Sequence, residues 1–514
     1  MTTLRKHYTA RDLARLIRTV RSLKLLQIAW RPIHHASRLV ALGTPAGRGP
    51  ALRSAWSPPP PGLTAFLVRE ARRASARCDR IPPESLLRAY EEQYAFELFG
   101  PGEKNLRPVT RAGLEAGPCS VRARNIALAC RLGASGLETE LARACRSVVL
   151  QLEFHLLGNH LLENGIALVC GGAVAKGTEA DLWWRIGRAI VSDQLEAQFL
   201  PDGGHFEGSA SYHLWLVAGL IESVFLCEAA GRPVPAGWKT TIRRALEWAR
   251  AVRAPDGSFP LFNDASLDAS PGIDELLSLA ETAGVNAPQA GTPGSSRDGP
   301  WVRVLGNTGW VIARTIDGAW LVLDAGPDGA PYQPGHVHAD ALTFELWIGG
   351  ERVCVDYGVS SYRLGRERDE TRSTRSHNTV EVDGENSSEV WGAFRVGRRC
   401  RSKVIRAERQ GDAIVIEGQH DGYRWRSGRP VHRRVVLLQA GRLEIADRID
   451  GFFGRATSRI LLDQQAARRV QVRAVPNATC RDGSWYAEFG SARAASRMEC
   501  EVPRAGSCRW VITW

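Results

Sequence analysis

The sequence predicts an α+β multidomain chain, a helical (α/α) toroid followed by an antiparallel β-sandwich. Three observations carry that expectation. Apolar residues recur with a helical period from Leu63 to about Ala283, and with a period of two after Trp301. Between the two regimes lies a turn-rich stretch, GVNAPQAGTPGSSRDGP at 284–300. At 514 residues, 44% apolar and 24% charged, the chain has the composition of a globular protein with two or three full cores.

Residues 1–56 form a basic helical segment. Leu13, Leu16, Ile17, Val20 and Leu23 fall on one side of a helix and Arg15, Arg18, Arg21 and Lys24 on the other. The favoured expectation is a helix packed on the main body. The other reading is a peripheral membrane contact through this basic helix. SPPPPG at 57–62 cannot continue a helix and opens the toroid domain, 57–290. Inside it ESLLRAYEEQYAFELFG, VRARNIALACRL, DLWWRIGRAIVSDQLEAQFL, WLVAGLIESVFLCEAAG and WKTTIRRALEWARAV succeed one another across short loops. Helical hairpins in such a series bury both faces only by closing into a ring or stacking as a solenoid. No fixed-period repeat is present in the sequence, which favours the ring. From 291 to 514 the pattern changes to WVRVLGNTGWVIART, AWLVLDAG, ALTFELWIGGERVCVDYG, HNTVEVDG and DAIVIEGQHDGYRW. Strands without intervening helices imply an antiparallel sandwich.

The net charge of +12, rich in arginine, favours an anionic partner. No nucleic-acid-binding motif accompanies it, so the expected partner is an anionic polysaccharide or oligosaccharide and not nucleic acid. The 11 cysteines are scattered without a C-x-x-C pair, which argues against a disulfide framework. There is no uninterrupted run of about 18 apolar residues, and the basic N-terminus is broken up unlike a secretory h-region. These points predict a cytoplasmic location, with the periplasm or a membrane face as the other options.

Three stretches carry the chemistry. In QLEFHLLGNHLLENG (151–165), helical spacing lines up His155, Asn159 and Glu163 as a polar stripe, which either bonds to core neighbours or faces a cleft. DGGHFEGSASYH (202–213) is a loop in which helix capping accounts for Gly and Ser but not for His205, Glu207, Tyr212 and His213 together. GHVHAD (335–340) introduces a strong strand, and a period of two places His336, His338 and Asp340 on the face of Leu342, Phe344 and Leu346. Downstream, Asp356 ends RVCVD and His377 begins HNTVEVDG. His338, Asp356 and His377 thus stand at strand termini, a donor set that suits zinc. H-E-x-x-H is absent, which disfavours a zinc peptidase. A glycoside hydrolase would need two facing carboxylates, for which Asp202 and Glu207 are the candidates.

Taken together, GNHLLENGIAL, DGGHFEGSASYH, GHVHADALTFEL, VDYGVSSY and RSTRSHNTVEVDGENSSEVWGAFRVGRR resemble the heparinase II/III family of polysaccharide lyases, over roughly residues 60 to 450. The resemblance implies an incomplete toroid before the sandwich, cleavage of uronic-acid polysaccharides by β-elimination, and a structural zinc. Position by position it implies that Asn159, with His160 beside it, binds the uronate carboxylate. It also implies that Tyr212 is the acid/base tyrosine, His336 the catalytic histidine, and His338, Asp356 and His377 the metal ligands. Glu207, Tyr362 and Arg395 are implied as substrate-binding residues. A non-catalytic polysaccharide-binding or assembly protein would keep the fold and the charge without turnover.

Overall fold

The computed structural model describes residues 10–43, 47–53, 115–285 and 299–514. The SPPPPG break, the expected helix ESLLRAYEEQYAFELFG and most of the 284–300 stretch, with the domain boundary at 290, lie outside the described residues. The described helices are α1 (Ala10–Arg21), α2 (Leu25–Gly43), α3 (Ala116–Arg131), α4 (Glu138–Leu150), α5 (Gly158–Val174), α6 (Thr178–Gln198), α7 (Ala210–Ala229), α8 (Ala236–Ala251), α9 (Ile273–Thr282) and a short α10 (Arg366–Thr371) in the second domain.

Helix α5 is the hub of the toroid, packing against α3, α4, α6 and α7. It is therefore apolar nearly all round, and every residue of it except His160 is buried. Small residues let its neighbours come close: a Cβ on Gly187 of α6 would stand 2.7 Å from the carbonyl oxygen of Gly165. Helix α7 is long and apolar enough to cross a bilayer by composition, but its apolar stretch is mostly buried inside the protein.

The β domain begins with β1 (Trp301–Leu305), β2 (Trp310–Arg314), β3 (Trp320–Asp324), β4 (Phe344–Ile348) and β5 (Glu351–Cys354). They form one antiparallel sheet in that order and continue through strands 456–463, 491–501 and 479–488, with 380–382 alongside 456–463. A second sheet stacks on it in the order 471–475, 508–513, 442–450, 431–439, 413–420 and 402–410. The period-two pattern sorts the first sheet's side chains between two cores. Trp310, Ile312, Trp320, Val322 and Trp347 pack with the toroid helices. Val311, Ala313, Leu321, Leu323 and Phe344 pack with Ile416, Val436, Ile445 and Trp510 of the second sheet. A sheet buried on both faces joins the two domains through a shared core, and a cavity lined by both lies between them.

Two expected elements start late. The helix expected from residue 151 begins at Gly158, because Leu157 (φ 62°) and Gly158 (φ 54°) turn the chain through left-handed backbone. The strand expected to carry His336, His338 and Asp340 begins only at Phe344. Leu342 has φ 66°, so 335–343 is a loop and the period-two placement of those three residues does not hold. Helix α1 does sit on the main body, yet it docks by its arginine side.

Candidate active site

The corner at Leu157–Gly158 sets the site's first residue. A Cβ on Gly158 would fall 2.4 Å from Glu207 Oε1 and 2.8 Å from Gln333 Cγ, so the backbone conformation and the close approach both call for glycine. Asn159 follows in the first turn of α5. Its backbone N–H donates to Glu207 Oε1 (3.0 Å) and its side-chain Nδ2 to Glu207 Oε2 (2.7 Å). Glu207 is thus a buried carboxylate at a helix N-terminus that fixes the asparagine amide, and it does not line the cavity. The second Nδ2 hydrogen points to His336 Nε2, 3.0 Å away.

His336 is held from behind by Asp264, which accepts from Nδ1 at 3.0 Å. Arg368 grips the same carboxylate through both terminal nitrogens, at 2.5 and 2.7 Å. Burial of Asp264 works against ionisation, but the Arg368 charge and the bonds from His336 and His338 hold its carboxyl well below the ordinary carboxylate range. With an ionised acceptor at Nδ1, the imidazole keeps its hydrogen there and presents Nε2 as a lone pair. Sequence reasoning missed Asp264 and Arg368. Asp264 follows Asn263, which has φ 59°, in an otherwise unmarked loop. Arg368 sits in RERDET, a charge run that reads as a solvated face although Arg368 is fully buried.

Tyr212 enters from the first turn of α7, capped by Ser209, and its ring lies 4.0 Å, centroid to centroid, from that of His336. Its hydroxyl is 3.2 Å from the hydroxyl of Tyr362. Arg368 lies over the Tyr362 ring at 4.9 Å. Asn159, His160, Tyr212, His336, Tyr362 and Arg395 all line one cavity of about 400 Å³. His160 faces Glu153 (Nδ1 to Oε1 3.3 Å). Burial alone would lower its pKa, but Glu153 outweighs that and raises it, favouring imidazolium on the cavity wall. Arg395 stacks on Trp391 at 4.9 Å.

The other polar residues of the three stretches engage protein partners, His155 and Glu163 from the cavity wall. Glu163 pairs with Arg124, and Asn164 bonds Glu153 and Ser120. His155 lies against His34 with ring centroids 3.8 Å apart. His205 bonds Gln198 and His213 bonds the Ala245 carbonyl. Asp202 caps the backbone of Asn307 and Thr308.

Behind the cavity, ligand atoms of His338, Asp340 and His377 all lie within 4.8 Å of one another. Asp356 stands one step back, accepting from His377 Nδ1 at 2.9 Å. The geometry therefore groups Asp340, instead of Asp356, most closely with the two imidazoles. His338 Nε2 is 2.8 Å from Asp264, while its Nδ1 is buried with no partner.

The models for the heparinase II/III N-terminus and the heparinase II/III-like C-terminal region match residues 144–279 and 298–500. The chain belongs to the heparinase II/III family. A heparin-sulfate lyase of Bacteroides thetaiotaomicron is 25% identical over 292 residues, 49% of this chain and 41% of the relative. One from Bacteroides stercoris is 27% identical over 247 residues, 45% of this chain and 36% of the relative. The chain thus spans well under half the length of these curated relatives. The crystal structure of a heparinase III shares the fold, with a TM-score of 0.60 at 18% identity, covering 90% of this chain and 79% of that one. A heparan sulfate lyase from Pedobacter heparinus gives 0.54 at 17%, covering 88% and 75%. The family's incomplete toroid and antiparallel sandwich are the architecture described above.

Proposed function

We propose that this heparinase II/III-family cleft cleaves a uronic-acid-containing anionic polysaccharide by β-elimination. The observation that carries the reading is the convergence of the Tyr212 phenol, the His336 imidazole and the Asn159 amide on one cavity. The carboxylates on the cavity wall, Glu153 and Glu163, are already paired with His160 and Arg124. Asp202 and Glu207 are likewise tied to backbone and to Asn159, so the facing pair that a hydrolase needs is not formed by them.

Removing the proton alpha to a uronate carboxylate builds charge on a group already negative, so donors must meet that charge. The protonated form of His160 supplies it, with Arg31 and Arg395 on the same wall, and Asn159 joins them when its second Nδ2 hydrogen turns from His336 Nε2 to the carboxylate, which also frees that nitrogen. According to the uronate epimer, His336 Nε2, or Tyr212 where it enters the step as its phenolate, takes the C5 proton. Its electron pair forms the C4–C5 double bond as the C4–O4 bond breaks. Tyr212 protonates the leaving O4, with the Tyr362 hydroxyl beside it to share the proton.

The test is absorbance of the new double bond conjugated with the carboxylate, on heparan sulfate first because the relatives are named for it, then on chondroitin, hyaluronan, alginate and bacterial exopolysaccharides. Tyr212→Phe should retain polymer binding and lose turnover by at least about 100-fold. Reducing ends released without absorbance would overturn the reading in favour of hydrolysis. Binding without any product would favour the non-catalytic role.

A structural zinc is part of the same reading. The buried, unpartnered Nδ1 of His338 and the grouping of ligand atoms from His338, Asp340 and His377 support it, and to bind the ion His377 would give up one of its present partners, Asp356 at Nδ1 or the Thr371 carbonyl at Nε2. When bound, the ion would cross-link the loop that carries His336 to the start of strand 380–382. Chelation should lower the melting temperature before it lowers kcat, and metal analysis of the purified protein finding no zinc would refute the site.

A further inference from the structure

Residues 1–53 hold eleven Arg and Lys and one acid, Asp12, so ten of the chain's twelve net positive charges lie in its first tenth. Helices α1 and α2 are the described helical part of this segment, and both are mounted with their polar sides inward. Arg18 grips Glu389 through Nε (2.7 Å) and Nη2 (2.5 Å), and Thr19 Oγ1 donates to the Val396 carbonyl at 3.1 Å. In α2, Gln27 Nε2 bonds the carbonyls of Leu156 (3.1 Å) and Tyr332 (3.2 Å), and Trp30 Nε1 bonds that of Leu152 (2.9 Å). The apolar sides face outward. Leu13, Ile17 and Val20 of α1 are 56, 45 and 41% exposed, and Leu25, Leu39 and Val40 of α2 are 85, 62 and 58% exposed. A helix that spends its arginines on the protein and its leucines on solvent is not built to face water.

We propose that α1–α2 is a membrane-binding element that lays these apolar sides into an anionic lipid surface. Lipid satisfies the outward apolar sides, and the segment's excess of cations, of which Arg21 and Arg31 are exposed, favours an anionic surface. A polyanionic polysaccharide would answer the charge but not the apolar stripe, and a second copy of the chain would bring two like-charged segments together. Thr19, Ser22, Leu23, Gln27 and Arg31 of the same region line the substrate cavity from their inner side. A bound surface therefore lies across these helices from the cleft, which places the site at a lipid face. This assignment stands independently of the reaction carried out in the cleft.

The full chain is mixed with vesicles of phosphatidylcholine alone or with phosphatidylglycerol added, and bound protein is separated by flotation. Binding is expected on the anionic vesicles, weaker on neutral ones and reduced by salt. The outward double variant Leu13→Ser, Ile17→Ser should lose at least tenfold in lipid affinity while keeping the wild-type melting temperature and its wild-type oligomeric state. Failure of the wild type to bind either vesicle, or equal binding by the variant, overturns the proposal. A wild-type dimer that the variant converts to monomer overturns it in favour of a self-association face.

Discussion

Two buried clusters in this protein use the same parts, and only one of them opens on a cavity. At the cleft, Asp264 is gripped by both terminal nitrogens of Arg368 and accepts from His336 and His338. In the sandwich core, Asp447 is held by Arg434 through Nε (2.7 Å) and Nη2 (2.8 Å) and accepts from His432 Nε2 (2.8 Å) and Ser458. Both aspartates are driven to the ionised state by a guanidinium despite full burial. The difference lies at the far nitrogen of the histidine. His432 Nδ1 meets His420, itself buried, at 3.0 Å. His336 Nε2 meets the Asn159 amide beside a 400 Å³ cavity. A buried Asp–Arg–His network is therefore scaffolding by default, and it becomes a candidate general base only where its last nitrogen reaches a cavity.

Exchanging the two histidines for glutamine separates these roles. His336→Gln should cost the most, on the order of 100- to 10,000-fold in the elimination assay, with a melting temperature close to wild type because the cavity side can rehydrate. Comparable activity in this variant would show that the cleft cluster is scaffolding as well. His432→Gln should do the reverse. Mismatching a fully buried acceptor network costs roughly 1–3 kcal/mol, read as a lower melting temperature, while turnover per folded molecule is unchanged. A loss of turnover without a loss of stability would erase the distinction between the clusters.

Much of this was legible in the sequence, and the failures share a cause. The helical and period-two regimes appear where they were read, because burial imposes those periods on α3–α9 and on β1–β5. Asn159, Tyr212 and His336, though far apart in sequence, line one cavity. The errors cluster where the backbone leaves its regular wells, at Leu157 and Leu342, since a leucine gives no warning of positive φ. The same limit hid Asp264, set by the left-handed Asn263, and Arg368, whose burial depends on an aspartate about a hundred residues away. The inverted mounting of α1 was equally unreadable. An amphipathic pattern fixes which residues share a face, and the position of Glu389 decided which face turned inward.

The smallest expected effect extends the comparison to histidines that have no route to the cavity. Burial pushes His205 down to about 4 and His213 down to about 3. In the unfolded chain both titrate near the ordinary value of about 6.5. Between roughly pH 6.5 and 4 the unfolded state therefore binds protons that the folded state refuses, so stability falls as pH falls. Each such group contributes at most about 1.4 kcal/mol per pH unit. His160, whose pKa is raised by Glu153, acts in the opposite sense above that window, its contribution being lost as pH rises through its folded value. Asp447, held below the ordinary range, withdraws its contribution only once pH falls below about 4. Burial pushes Asp328 and Glu345 up to about 7, and they act in the opposite sense to His205 and His213 in wild type and variant alike, so the readout is the difference: across pH 7.5, 6.5, 5.5 and 5.0 the melting temperature of wild type should fall relative to that of His205→Gln. A difference between the two proteins that does not change with pH would mean that the His205 imidazole is charged in the fold, and the contrast between sealed and cavity-facing histidines would fail with it.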